Sequence, residues 1–220
     1  MKGVVEKPRA LILDFDGVIL ESNHLKTEAF AELFGRFPEH RDAMMAYHAA
    51  HVSEPRHAKF RHLVVERLGW ADGEALVGEL AEEFSRRILG RMDECPTVKG
   101  AVAFLEEFAA RLPLYLASVT PEAELLEVLR RRNLGRYFAA VYGCPPWTKA
   151  AAVAAVIARH GGDPHGIVLI GDSAGDQGAA RRAGIEFIAR DSGLPFEEPR
   201  PPAYPDAEAV GAGLRRRFDP

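Results

Sequence analysis

The feature that most constrains this chain is a pair of carboxylates at the end of an apolar run. Residues 10–13 are Ala-Leu-Ile-Leu and run directly into Asp14, and Asp16 and Gly17 follow after one phenylalanine. An apolar run that ends at glycine is typical of a buried strand, where a carboxylate is costly to bury. Asp16-Gly17 alone is ordinary turn chemistry, but Asp14 lies inside the apolar run. The pair therefore predicts a site with one nucleophilic carboxylate, one acid or base, and a hard cation between them.

Length and composition limit the classes to which the chain can belong. With 220 residues, of which 47% are hydrophobic, it can form one large domain or a domain with an insertion. A formal charge of −4 argues against a nucleic-acid partner. Two cysteines without a Cys-x-x-Cys pair favour a reducing compartment, so we expect the cytoplasm. The short segment before the first strand predicts no signal peptide, and the lack of a long apolar run predicts no membrane partner.

Two kinds of hydrophobic pattern divide the chain. Residues 21–95 carry apolar side chains at helical spacing and no β-rich run, which predicts an all-helical domain. Helical and strand patterns alternate over residues 96–192, as in parallel sheets with crossover helices. We therefore predict an α/β fold, in which a Rossmann-like doubly wound core of residues 1–20 and 96–192 receives a helical cap domain of residues 21–95. Residues 193–220 are interpreted as a Pro-rich C-terminal tail.

Polar residues also follow the later predicted strands. The second ends at Ser118, the third leads to Lys149 at a helix start, and the fourth is followed by Asp172 and Asp176. Each residue alone has an ordinary explanation as a strand-end hydroxyl, a solvated lysine or a helix cap. Ligands bind at the carboxyl ends of parallel strands, where carboxylates suit Mg²⁺ and a hydroxyl and an ammonium suit phosphoryl oxygens. Together these residues predict a site for Mg²⁺ and a phosphoryl group.

This set of motifs resembles that of the haloacid dehalogenase (HAD) superfamily. Residues 14–19, Asp-Phe-Asp-Gly-Val-Ile, are similar to its first motif, and residues 116–118, Leu-Ala-Ser, to its second. Lys149 is similar to the third motif, and residues 171–176 to the fourth, with Gly175 where many members have Asn. The resemblance spans residues 9–190, and the helical insertion is similar to the small cap of the phosphoglycolate phosphatase-like subgroup.

The resemblance implies a role for each motif residue. Asp14 would form an aspartyl-phosphate, and Asp16 would protonate the leaving oxygen and then activate water. The dehalogenases lack this second carboxylate, and a general acid is needed to expel an alkoxide, so Asp16 favours phosphate esters. Ser118 and Lys149 would be catalytic by holding the phosphoryl oxygens. The implied metal ligands are Asp14, Asp16 through its main-chain carbonyl, Asp172 and Asp176. The implied substrate-binding residues are Gly17, Lys26, Ser118, Val119 and Lys149.

The cap is expected to set the substrate. Arg56 and Lys59 are three residues apart, so they share a helical face and could bind a second anionic group of the substrate. A solvated basic face explains them equally well. The histidines between His40 and His62, which include His48-x-x-His51, are better explained by a solvated surface than by a zinc site.

We therefore expect a Mg²⁺-dependent phosphatase that acts on a small-molecule phosphate monoester. A phosphosugar mutase of the β-phosphoglucomutase type shares all four motifs and is the nearest alternative. A non-catalytic binding protein of the same fold is disfavoured, because no catalytic position is missing. Residues 171–175 also match the Gly-x-Ser-x-Gly elbow of serine hydrolases, but all eight histidines precede Ser173, whereas that triad needs one after it.

Overall fold

The computed structural model describes residues 7–218 and has two compact units. One unit contains Met1–Glu21 and Pro96–Pro220, and the other contains Ser22–Cys95. The sequence predicted the changes of domain after residues 20 and 95. Of the predicted core and tail, residues 1–6 and 219–220 lie outside the described residues.

A parallel sheet forms the first unit, which confirms the predicted α/β class. Its strand order is β3-β2-β1-β4-β5-β6. Leu13 of the first strand pairs with Leu116 on one side and with Ile170 on the other, so this strand is central. The strands are β1 (Ala10–Leu13), β2 (Leu114–Ser118), β3 (Phe138–Gly143), β4 (Ile167–Gly171), β5 (Glu186–Arg190) and β6 (Ala203–Tyr204).

The second unit is helical over its described length. Phe30 is central to its core, with its ring centroid 4.4 Å from that of Phe84 and 5.5 Å from that of Phe60. One helical segment begins at Arg56 and continues as a π-helical turn over His62–Arg67. The α-helices are α1 (Asn23–Phe34), α2 (Pro38–Ala50), α3 (Arg56–Arg61) and α4 (Glu74–Met92).

Helices cover both faces of the sheet in the first unit. The first four helices of this unit are α5 (Ala101–Ala109), α6 (Glu122–Arg131), α7 (Lys149–Arg159) and α8 (Ala174–Ala183). Ile12 belongs to a buried cluster with Val153 of α7 and Ala180 of α8. The next residue, Leu13, lines a small apolar cavity with Phe104 of α5. Successive strand residues point to opposite faces, so the sheet is buried on both sides, as its continuous apolar strands predict.

The structure corrects the prediction of a C-terminal tail. β6 pairs in parallel with β5, and α9 (Ala207–Phe218) packs against the core with Val210 and Leu214 buried. The spacing of these two apolar residues was the available signal, and the prolines before them obscured it. In the part of the chain that the structure describes, no helix has the length and apolar character needed to cross a bilayer.

Candidate active site

The carboxyl ends of β1, β2 and β4 meet at one edge of the sheet. The main-chain N–H of Asp14 donates to the carbonyl of Ile170 at 2.9 Å, which extends the pairing of β1 with β4 by one residue. Asp14 and Asp16 are 7% and 6% exposed, and Asp176 is fully buried. The structure thus brings six predicted site residues to one edge: Asp14, Asp16, Ser118, Lys149, Asp172 and Asp176.

The loop after β1 is a tight turn that fixes the direction of Asp16. Gly17 has a φ of 73°, a left-handed conformation that glycine adopts without a steric penalty. Its N–H donates to the carbonyl of Leu20 at 2.7 Å, and the N–H of Ile19 donates to the carbonyl of Phe15 at 2.9 Å. These two hydrogen bonds close the loop around Asp16. Because φ at position 17 is positive, a residue with a side chain there would strain the turn.

Two hydroxyl groups hold the carboxylate of Asp16. Thr120 Oγ1 donates to Asp16 Oδ2 at 3.1 Å, and Ser118 Oγ donates to the same oxygen at 3.4 Å. The main-chain N–H of Thr120 in turn donates to Ser118 Oγ at 3.1 Å. Thr120 was not among the predicted site residues. Its position two residues past the end of β2 was the only signal, and many surface threonines share such a position.

Lys149 connects two of the carboxylates. Thr148 caps α7 by accepting from the N–H of Ala151 at 3.1 Å, which places Lys149 at the first helical position. Its Nζ lies 2.9 Å from Asp14 Oδ1 and contacts Asp176 Oδ1. Burial lowers the pKa of Lys149, but these two carboxylates outweigh that effect and raise the pKa above its usual value. The ammonium therefore remains protonated in the site.

Asp14 lies in surroundings with more negative charge than this lysine can compensate. Burial raises the pKa of Asp14 and Lys149 opposes it, but Asp176, Asp172 and Asp16 each raise the pKa further, to well above its usual value. The ammonium of Lys149, 2.9 Å from Asp14 Oδ1, is the cation paired with this carboxylate. Buried negative charge beyond what one cation offsets is costly unless a ligand compensates it.

The start of α8 sets the position of Asp176. Ser173 Oγ donates to Asp176 Oδ2 at 2.5 Å. Gly171 lies directly against this side chain, because a Cβ built on it would be 2.3 Å from the Cβ of Asp176. The serine of the Gly-x-Ser-x-Gly match is thus a hydrogen-bond donor to a carboxylate, and Gly175 lies inside the helix.

Three carboxylates form a group that fits a divalent cation. One side-chain oxygen from each of Asp14, Asp172 and Asp176 lies within 4.8 Å of the others. Hard cations such as Mg²⁺ prefer oxygen ligands of this kind, and the excess negative charge around Asp14 favours binding of such a cation. The carboxylate of Asp16 is outside this group, so its expected metal contact would use the main-chain carbonyl.

The predicted cap residues lie in the helical unit. Lys26 is half-buried, whereas Arg56 and Lys59 are 6% and 1% exposed. The alternative of a solvated basic face is therefore wrong for these two residues. Arg56 Nη1 donates to Ser85 Oγ at 2.6 Å, and its guanidinium lies 4.5 Å from the ring centroid of Phe84. A guanidinium group is planar and weakly hydrated, so it can lie against an aromatic ring in a buried position.

Lys59 and His48 form a buried polar pair in the same unit. Lys59 Nζ lies 3.1 Å from His48 Nδ1 and donates to the carbonyl of Val52 at 3.2 Å. His48 Nε2 lies 3.1 Å from Thr27 Oγ1. Burial, assisted by Lys26, lowers the pKa of Lys59 to about 7. Burial and then the Lys59 and Lys26 cations lower the pKa of His48 to about 4.

The neighbouring histidine does not share these partners. His51 Nδ1 lies 2.9 Å from the carbonyl of Tyr47, and its ring stacks on that of the same tyrosine. His48 and His51 thus contact different groups. The expectation of a solvated surface is wrong for His48, which is 6% exposed.

Comparisons with known proteins identify relatives over most of the chain. A sequence profile of the haloacid dehalogenase-like hydrolase family matches residues 11–190. The chain is 30% identical over 187 residues to a phosphorylated carbohydrates phosphatase of Thermotoga maritima, which covers 81% of this chain and 83% of that protein. It is 25% identical to a phosphoglycolate phosphatase of Synechococcus elongatus, over 90% of this chain and 91% of that one. A solved structure from Thermotoga maritima, provisionally named a β-phosphoglucomutase, has a TM-score of 0.67 and 23% identity, covering 94% and 99%.

Proposed function

Because the chain belongs to the haloacid dehalogenase-like hydrolase family, we propose that it is a Mg²⁺-dependent phosphatase that hydrolyses a small-molecule phosphate monoester. The observation that carries the proposal is the different surroundings of two neighbouring carboxylates. Asp14 is paired with the ammonium of Lys149, whereas Asp16 accepts hydrogen bonds from the hydroxyls of Ser118 and Thr120. Carboxylates held by different partners can take different chemical roles.

Asp14 is the proposed nucleophile. An oxygen of its carboxylate attacks phosphorus, the bond from phosphorus to the ester oxygen breaks, and an aspartyl-phosphate forms. The ammonium of Lys149 opposes the rise in the pKa of Asp14 and reduces the repulsion between the carboxylate and the incoming phosphoryl group. Without this cation, burial and the three neighbouring carboxylates would raise the pKa of Asp14 still further, and a protonated carboxyl group is a poor nucleophile.

Asp16 is the proposed acid and base. In the first step its proton passes to the leaving alkoxide oxygen. In the second step it accepts a proton from water, whose oxygen attacks phosphorus and releases inorganic phosphate and the Asp14 carboxylate. The hydrogen bonds from Ser118 and Thr120 hold one carboxylate oxygen, so the other oxygen is oriented for both proton transfers.

The remaining site residues bind the phosphoryl group and the metal. We assign Ser118, Lys149 and the main chain at Gly17 and Val119 to the phosphoryl oxygens. Mg²⁺ would be held by Asp14, Asp172 and Asp176, with the main-chain carbonyl of Asp16 as a further ligand. When bound, the ion would neutralise charge on the phosphoryl oxygens.

The relatives suggest two substrate classes, phosphoglycolate and phosphorylated carbohydrates. Arg56 and Lys59 are buried with protein partners, so Lys26 is the better candidate in the helical unit for recognising a second polar group of the substrate. The two cysteines, which are both free, are consistent with a cytoplasmic location.

A panel of phosphate monoesters tests the proposal, with phosphoglycolate, hexose phosphates and p-nitrophenyl phosphate as members. We expect phosphate release that requires Mg²⁺ and is abolished by Asp14→Asn, which keeps the size of the side chain. The matched control is Asp72→Asn, because Asp72 is exposed and lies in the helical unit. A folded wild-type protein that releases no phosphate from any member would overturn the proposal.

The same panel separates the alternative function. The alternative is a mutase, and the observation behind it is the likeness to the structure provisionally named a β-phosphoglucomutase. It would convert a hexose 1-phosphate into the 6-phosphate when a bisphosphate activator is present, with little net phosphate release. Ligand binding that raises the melting temperature without turnover would instead indicate a binding protein.

A further inference from the structure

The chain leaves the α/β unit after Glu21 and returns to it at Pro96. The two crossings are joined to each other inside that unit. The N–H of Glu21 donates to the carbonyl of Pro96 at 2.9 Å, and the N–H of Val98 donates to the carbonyl of Ile19 at 2.9 Å. An antiparallel bridge also pairs Leu20 with Thr97. The end of the loop that carries Asp16 is therefore part of a short two-stranded connection.

A buried arginine at the end of a strand forms an ion pair with this connection. Arg190 is the last residue of β5, and its side chain is 9% exposed. Its Nη1 donates to Glu21 Oε2 at 3.1 Å, and its Nη2 contacts Glu21 Oε1, so the pair is bonded at two points. Paired bonds of this kind fix orientation as well as supplying energy. The two residues are 169 positions apart.

The guanidinium is held almost wholly by this one carboxylate. The Nε of Arg190 is buried without a hydrogen bond in the described part of the chain. Its stem lines a small apolar cavity with Val18 and Ile19, two residues of the loop that follows Asp16. Removal of the carboxylate would leave a buried charge without compensation next to that loop.

The ion pair connects two parts of the candidate active site. Glu21 directly follows Leu20, whose carbonyl closes the loop around Asp16 by accepting from Gly17 at 2.7 Å. On the other side, Ala189 of β5 pairs with Gly171, the residue before Asp172. A displacement of Glu21 would therefore move Leu20, the adjacent residue, and with it the loop that orients Asp16.

We propose that the Arg190–Glu21 ion pair is a positioning device for Asp16, which holds the loop at the distance that proton transfer to the leaving group requires. This inference rests on the proposed phosphatase function for its kinetic consequence, but its structural part does not. Neither residue touches the reacting atoms; both act through the turn from Phe15 to Leu20. Misplacement of a general acid reduces kcat much more than it weakens substrate binding.

Glu21→Gln tests the inference, because it keeps the shape of the side chain and removes its charge. Hydrogen exchange followed by mass spectrometry should show exchange over residues 15–21 and 96–98 that is about tenfold faster or more, as expected from the loss of a charged hydrogen-bond pair. Exchange in α7 should be unchanged. This measurement needs no substrate, so its outcome stands even if the proposed function fails.

The kinetic arm uses two leaving groups. Expulsion of p-nitrophenolate needs little help from a general acid, whereas expulsion of an alkoxide needs it. Glu21→Gln should therefore reduce kcat for an alkyl phosphate by about tenfold or more, with a smaller loss for p-nitrophenyl phosphate and little change in KM. A purely structural role would reduce turnover of both substrates equally.

The matched control lies at the opposite end of the same strand. Glu186 begins β5 and forms a two-point pair with Arg217, with both distances 2.8 Å. Glu186→Gln should leave both exchange at residues 15–21 and the leaving-group dependence unchanged. Unchanged exchange in both Glu21→Gln and Arg190→Met would overturn the inference, as would an equal loss of kcat with both substrates.

Discussion

Replacing Lys59 by methionine should remove most of the pH dependence of folding stability between about pH 7 and pH 9. Lys59 is 1% exposed, and its ammonium is accompanied by a histidine and a carbonyl rather than by a carboxylate within hydrogen-bond distance. Burial, with Lys26, therefore lowers its pKa from 10.5 to about 7, while Glu54 opposes the shift. Methionine has a similar length and no charge to bury.

The sign and size of the change in stability with pH follow from the number of protons bound in the folded and unfolded states. Between the two pKa values, the unfolded chain keeps Lys59 protonated whereas the folded chain loses the proton. Stability therefore rises with pH over this window, because the unfolded state binds more protons. Integrating the difference in bound protons from pH 7 to pH 9 gives a rise of about 2 kcal/mol in the free energy of unfolding.

Urea denaturation at several pH values measures this slope. The slope is a better measure than absolute stability, because Lys59→Met also removes a hydrogen-bond donor from His48 Nδ1 and Val52. Lys99→Met is the matched control, since its side chain is 73% exposed and its charge is already solvated. Lys59→Met should have a flatter slope than the wild type, and Lys99→Met should keep the wild-type slope.

Equal slopes in the wild type and Lys59→Met between pH 7 and pH 9 would contradict this prediction. A slope that falls with pH in the wild type would also contradict it, because it would mean that the folded state favours the charged amine. His48, whose pKa is lowered to about 4, adds a separate rise in stability from about pH 4 to pH 6.5. That rise should be smaller in Lys59→Met, because burial still lowers the pKa of His48 but the Lys59 cation no longer does.

The other predictions concern single side chains of the first unit. Thr120→Val keeps the shape but removes the hydroxyl bonded to Asp16, so kcat should fall about tenfold, with unchanged circular dichroism. Gly171→Ala places a methyl group against Asp176 and should weaken Mg²⁺ binding measured by calorimetry. Leu214→Ala removes a 1%-exposed side chain from α9 and should lower the free energy of unfolding by about 2–4 kcal/mol, whereas a flexible tail would show almost no change.

Local pattern alone was enough to predict the α/β class and to select the strand-end residues. Apolar runs of strand length alternate with helical spacing, and parallel strands end at a common edge. Asp14, Ser118 and Asp172 could therefore be expected near one another, although 158 positions separate the first from the last. Their proximity follows from topology, which the order of elements encodes.

Burial and pairing between distant residues had no such local signal. Spacing puts Arg56 and Lys59 on one face, but it does not tell whether that face meets solvent or a cluster of phenylalanines. The partnership of Glu21 and Arg190 depends on the sheet order that sets β5 beside β4. Periodicity reports which side chains share a face, whereas the environment of that face is fixed when the elements pack, because charge, desolvation and hydrogen bonding act between residues far apart in the chain.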